Sequence, residues 1–137
     1  IPYLTETKAT YVTNAVSHAL QLAERDFRVI IIGGKMKAST EAIVGNEAYH
    51  NLQKYNFTKG FFGTNGIDKH AGFTTPDINE ALIKEFAMKH SQEAYVLCDN
   101  SKFHQICPVR FGEVEDAVVI TDRTPDEDYD REKMIVV

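Results

Sequence analysis

Short β-branched and aromatic runs alternate with amphipathic stretches along this chain. That alternation predicts an α/β fold, a mostly parallel sheet with helices on both faces. "YVT" (Tyr11 to Thr13) reads as a short strand, and Asn14 after it reads as the N-cap of a helix in which Ala15, Ala19, Leu20, Leu22 and Ala23 form a mostly apolar face. The run "FRVIIIGG" is continuously apolar, as central parallel strands are. Gly33 and Gly34 end it where a tight turn or a close ligand leaves no room for a side chain. Beyond "KMKASTEAIVG" a helix is expected over residues 46–54, followed by the strand "FTKGFFG". Asp77, with Glu80 three positions on, predicts a capping box for a helix reaching His90. "EAYVLCD", "AVVITD" and "KMIVV" read as the remaining strands, and "TPDEDYDREK" as a solvated turn and helix before the last of them.

Composition narrows the class. With 137 residues, 43% of them apolar, one domain can bury a core without a disulfide or metal staple. A formal charge of −5 with no block of Lys and Arg excludes a direct electrostatic grip on nucleic acid. The two cysteines, Cys98 and Cys107, are not in a C-x-x-C arrangement and read as reduced thiols of a cytoplasmic protein. No apolar run reaches the roughly 18 residues of a membrane span. The chain enters "IPYL" at Ile1 without an initiator Met, which suggests a fragment of something longer.

In an open parallel sheet, ligands bind outside the carboxyl ends of the strands, so the residues following each strand carry the candidate chemistry. They are Thr13 and Asn14, Gly33 and Gly34, Thr64 to Asp68, Asp99 to Lys102, and Thr121 with Asp122. Hydroxyls, carboxylates, carboxamides, free backbone N–H groups and a lysine suit a polyol carrying an anion, which makes a phosphosugar the first candidate. Gly, Asn and Asp also end strands simply to turn the chain, and each loop taken alone allows that reading. In the stretch "GFFGTNGIDKHAGFTTPD", Asn65 and Gly66 predict a turn tolerating positive φ, Asp68 faces back over the strand end, and Thr74 and Thr75 return toward it. Lys102, directly after Asp99, Asn100 and Ser101, is expected to meet the anion; Lys84, two helical turns above the Asp77 cap, is expected in solvent. Five histidines are scattered one per element, with His70 in the hook. Glu47 and His50 have no further ligand to complete a metal set. No G-x-G-x-x-G or Walker pattern supports a nucleotide cofactor. No catalytic residue, metal or cofactor is assigned.

The ordered succession "VTNA", "VIIIGG", "FFGTNGID", "GFTTPDINEA", "YVLCDNSKF" and "VVITD" resembles the C-terminal sensor domain of DeoR-type bacterial transcriptional repressors nearly end to end. The resemblance implies a ribose-5-phosphate isomerase-like (NagB/CoA-transferase-like) fold and a single effector-binding domain that binds a phosphorylated sugar. In such repressors a helix-turn-helix domain precedes it and contacts DNA. Neither that domain nor the strand and Gly-Thr-Thr-rich loop that usually open the sensor domain is seen here. "AYHNLQKYNFTKGFFGTNGID" is most similar to repressors of fructose operons, which implies fructose 1-phosphate as effector. The resulting expected set is Asn14, Gly33, Gly34, Asn65, Gly66, Asp68, Thr74, Thr75, Asp99, Ser101 and Lys102, with Lys102 and Ser101 on the phosphate, aided by helix N-termini. The helix after Asn14 is a candidate surface for a homo-oligomer. Two alternatives stay open. In an isomerase-like enzyme the related motif Gly-Ala-Asp-Glu-x-Asp becomes Gly63, Thr64, Asn65, Gly66, Ile67 and Asp68, and an amide at 65 is no general base. The other is an oligomerisation module with a vestigial pocket.

Overall fold

The computed structural model describes residues 1–123, 125 and 129–137. Two compact units make up the chain, residues 1–54 and 55–137.

In the first unit, β1 (Thr10–Thr13) runs parallel to β2 (Arg28–Ile31), with Tyr11 opposite Val29, and α1 (Val16–Ala23) connects them. Asn14 does not cap that helix. The N-cap is Ala15, which makes no side-chain cap bond, and the Asn14 carboxamide instead donates to the Ile43 carbonyl at 3.2 Å. A hairpin follows where no strand was expected, β3 (Lys35–Lys37) against β4 (Ala42–Val44), with Met36 opposite Ile43. Its strands are too short for a period-two pattern to show. α2 (Asn46–Leu52) closes the unit, burying Ala48 and Leu52.

The second unit is built on a parallel sheet. β5 (Phe57–Gly63), β8 (Ser91–Leu97), β10 (Val118–Thr121) and β11 (Met134–Val136) lie in the order β11-β10-β8-β5. Between β5 and β8 come β6 (Gly66–Asp68), β7 (Gly72–Thr75) and α3 (Ile78–Lys89). The polar hook is therefore a hairpin. With β9 (Val109–Gly112) it forms an antiparallel sheet, β6-β7-β9, that the alternation of apolar runs did not predict. The tight turn does not fall at Asn65 and Gly66, neither of which has positive φ; it falls at Asp68–Gly72, with Gly72 at φ 74°.

The sheet pleat decides what is buried. Gly60, Phe62, Ala94 and Val96 face inward while Phe61 and Leu97 face outward. The inward set meets Ile67, Phe73, Ala81, Met88, Phe111 and Val119 in one core, with Phe73 and Phe111 stacked 6.0 Å apart. α3 starts where predicted, because the Asp77 carboxylate accepts from the Asn79 and Glu80 N–H groups at 2.8 and 3.2 Å. Of the tail "TPDEDYDREK", residues 124 and 126–128 lie outside the described residues, and Arg131–Lys133 form a single 3-10 turn.

Candidate functional site

The carboxyl ends of β5, β8 and β10 stand in register, with Gly63 opposite Leu97 and Leu97 opposite Ile120. Three loops leave the sheet at this edge, and a hydrogen bond joins those after β8 and β10. Behind Gly63, the buried Thr64 hydroxyl donates to the carbonyls of Gly66 (2.8 Å) and Thr74 (3.1 Å), which anchors the start of the hairpin. Asn65 is exposed, and its side-chain oxygen accepts from the buried Thr75 hydroxyl at 3.2 Å. Its NH2 group takes no partner among the described residues, leaving a donor fixed in direction.

After β8, the Asp99 carboxylate accepts from both the hydroxyl and the backbone N–H of Ser101, closing the single 3-10 turn Asn100–Lys102. These bonds, the hydroxyl's first, hold the Asp99 carboxyl below the usual carboxylate range. The Asn100 N–H donates to the Asp122 carboxylate at 2.7 Å, tying the loop after β8 to the end of β10. The Lys102 ammonium, half-buried beside this turn, forms no hydrogen bond or ion pair among the described residues. Cys98, also at this edge, is half-buried; burial first, and the Asp99 charge second, push its thiol up to about 11. It is no nucleophile near neutral pH.

Lys84 departs from expectation. Its ammonium donates to the Gly63 carbonyl at 2.8 Å and lies 5.1 Å from the Phe111 ring centroid, so it is held at the end of β5 rather than released to solvent. A sequence signal for this exists: Ala81, Lys84 and Met88 are spaced three and four apart, and the first and last are buried, so Lys84 lies on the inward stripe of α3.

Several expected ligands serve the fold instead. Thr74 is buried, and its hydroxyl oxygen accepts from the Cys107 N–H at 3.0 Å. Gly66 lies under the Gln105 backbone; a Cβ there would come within 2.8 Å of the Gln105 carbonyl carbon and of the Thr74 hydroxyl. Asp68 sits at the hairpin's far end, where it accepts from the Ala71 and His70 N–H groups, both at 2.8 Å, and those bonds lower its pKa. Helix N-termini here are not open to an anion, since Asp77 fills that of α3 and Asp99 caps the 3-10 turn. Asn14, Gly33 and Gly34 belong to the first unit. There Gly34, at φ 147°, packs where a Cβ would lie 3.0 Å from Ala48 and Ile43 side-chain carbons, while a Cβ on Gly33 would meet nothing. The structure thus gathers Asn65, Thr75, Asp99, Ser101 and Lys102 of the expected set at one sheet edge, and adds Lys84 and Asp122.

The family model for the DeoR C terminal sensor domain matches residues 1–123. Among known proteins, the chain is 40% identical over 139 residues to an uncharacterized HTH-type transcriptional regulator FruR of Bacillus subtilis, covering 99% of this chain and 55% of that protein. It is 36% identical over 118 residues to the HTH-type transcriptional regulator GlpR of Haloferax volcanii, with 85% of this chain and 46% of the relative covered. A lactose phosphotransferase system repressor of Staphylococcus aureus is 38% identical over 96 residues, 68% of this chain and 38% of its own. The chain spans about half the length, or less, of these relatives. It belongs to the DeoR C-terminal sensor domain family of transcriptional regulators.

Proposed function

We propose that this chain is the effector-sensing part of a repressor of sugar utilisation, and that it binds a phosphorylated sugar at the carboxyl ends of β5, β8 and β10. The observation that carries the reading is the convergence there of fixed hydroxyl-recognising groups, Asn65 with Thr75 and Asp99 with Ser101, beside two ammonium groups, Lys84 and Lys102. A carboxamide NH2 donates to a sugar hydroxyl oxygen, a carboxylate accepts from a sugar hydroxyl, and an ammonium is a point-charge partner for a phosphate. Lys102 supplies the phosphate contact, with the Ser101 hydroxyl next to it. Lys84 contributes positive potential and, by holding Gly63, keeps the Asn65 wall in place. Fructose 1-phosphate is the proposed effector, on the likeness of "AYHNLQKYNFTKGFFGTNGID" to fructose-operon repressors. The sheet is assigned to the ribose-5-phosphate isomerase-like group. A preceding helix-turn-helix domain contacts the operator, and the sensor works as a homo-oligomer.

A thermal-shift series with fructose 1-phosphate, fructose 6-phosphate, other phosphorylated sugars and free fructose tests the reading. A ligand at about a hundred times its dissociation constant stabilises by roughly 2.7 kcal/mol, several degrees for a domain of this size. A shift with a phosphate ester and none with free fructose is the expected result; no shift with any phosphate ester contradicts it.

A further inference from the structure

The loop that carries Lys102 continues into a segment fastened to the opposite wall of the site. After Lys102, Phe103 drops into the core, bridges Ile67 and meets Tyr129 edge-on at 5.1 Å. His104 then turns the chain with φ 61°, a left-handed backbone that a non-glycine residue adopts at a cost. The Gln105 backbone rests on Gly66, and the Cys107 N–H donates to the Thr74 hydroxyl. Between them Ile106 is 65% exposed, so its side chain does not anchor this end of the segment. Gly66 and Thr74 are direct partners across the β6–β7 hairpin, and the Thr74 carbonyl also holds the Asn65 N–H at 3.1 Å. One residue, Thr74, thus fastens both the Asn65 wall and the strand of chain leading from Lys102.

We propose that residues 100–107 form a clasp that opens from the hairpin as one unit, and that effector occupancy sets how often it opens. Opening breaks the Asn100–Asp122 and Cys107–Thr74 bonds and the edge-on contacts of Phe103 and His104 with Tyr129, and of the clasp's own side chains it exposes one buried one, Phe103, whereas loss of the sheet exposes the whole core. The clasp therefore belongs to the low-stability end of the molecule. A ligand touching Asn65 on the hairpin side and Lys102 on the clasp side binds only the closed form, and shifts the equilibrium by that differential affinity. The coupling rests on the effector reading above; the clasp itself does not. Its movement carries the exposed Ile106 side chain, which gives the bound state a different surface.

Amide hydrogen exchange on the whole chain, read residue by residue, tests this. The amides of Asn100 and Cys107, whose acceptors Asp122 and Thr74 lie outside the segment, are expected to share one exchange rate, faster than those of β5 and β8. Gly66→Ala, which pushes off the Gln105 backbone, should speed both together by about tenfold or more, and Thr74→Val, which removes the acceptor of the Cys107 N–H, should speed Asn100 along with Cys107. The second variant decides the matter if the first does not fold. Cys107 exchanging at the β8 rate, or the two amides answering the variants separately, overturns the clasp. Fructose 1-phosphate should then slow the same two amides. Binding that leaves their rates unchanged overturns the coupling, whereas absence of binding overturns the effector reading together with the coupling and leaves the clasp to be judged by the variants.

Discussion

The two units carry similar polar residues after their parallel strands and use them differently. In residues 1–54 the chemistry that follows the strands goes into local structure: the Thr13 hydroxyl accepts from the Ala15 N–H, Asn14 donates to Ile43, and Gly34 makes room for Ala48. In residues 55–137 part of that work passes to the buried Thr64 and Thr74 at the hairpin base and to the half-buried Asp77 at the helix start. Asn65, Ser101 and Lys102 are thereby held at the sheet edge without all their capacity being consumed. A polar residue after a strand becomes a ligand candidate when something else makes the turn.

That contrast can be broken by substitution. The largest effect is expected from Phe73→Ala, which removes the centre of the second unit's core and should cost about 3–5 kcal/mol in denaturant unfolding; a cost near that of a surface change would mean the hairpin is not part of this core. Next, Lys102→Ala should weaken a phosphorylated sugar by roughly ten- to a hundredfold in calorimetry, the range for one charge-assisted bond, and leave any binding of the unphosphorylated sugar unchanged. Equal losses for both would remove Lys102 from the phosphate. Asp77→Ala should lower stability by about 1 kcal/mol through the α3 cap, with effector affinity unmoved.

Smaller effects follow from the titrating groups. Asp68 and Asp99 have folded pKa values below their ordinary ones, so the stability they contribute is present above the usual aspartate value of about 3.9 and is lost as pH falls below it. Urea midpoints should fall as the pH drops below about 4, and Asp68→Asn or Asp99→Asn should each flatten that fall. Cys98, pushed up to about 11, should react slowly with iodoacetamide at pH 8; rapid alkylation there would show that the edge of β8 is open.

Much of this architecture is legible in the sequence because long elements have strong periodicity. "FTKGFFG" matches β5 residue for residue, and the Asp77 cap fixes the start of α3. The hairpins escape notice for a physical reason. Strands of three or four residues, such as Lys35–Lys37 and Gly66–Asp68, are too short to display alternation, and their turn residues, Asp68 and Gly72, look like ligand residues in a loop. Lys84 escapes for another: charge suggests solvent, whereas its place on the Ala81–Met88 stripe points it at a carbonyl. Tertiary contacts decide these cases, and they are not local properties of the chain.

The location of the site is the central claim, and amide chemical-shift mapping during titration with fructose 1-phosphate tests it most directly. Perturbations concentrated at Gly63–Asn65, Thr75, Asp99–Lys102 and Asp122 are the predicted result. Perturbations confined to the Asp68–Gly72 turn, or to Thr13–Asn14 and Gly33–Gly34, with Ser101 and Lys102 unmoved, would contradict it.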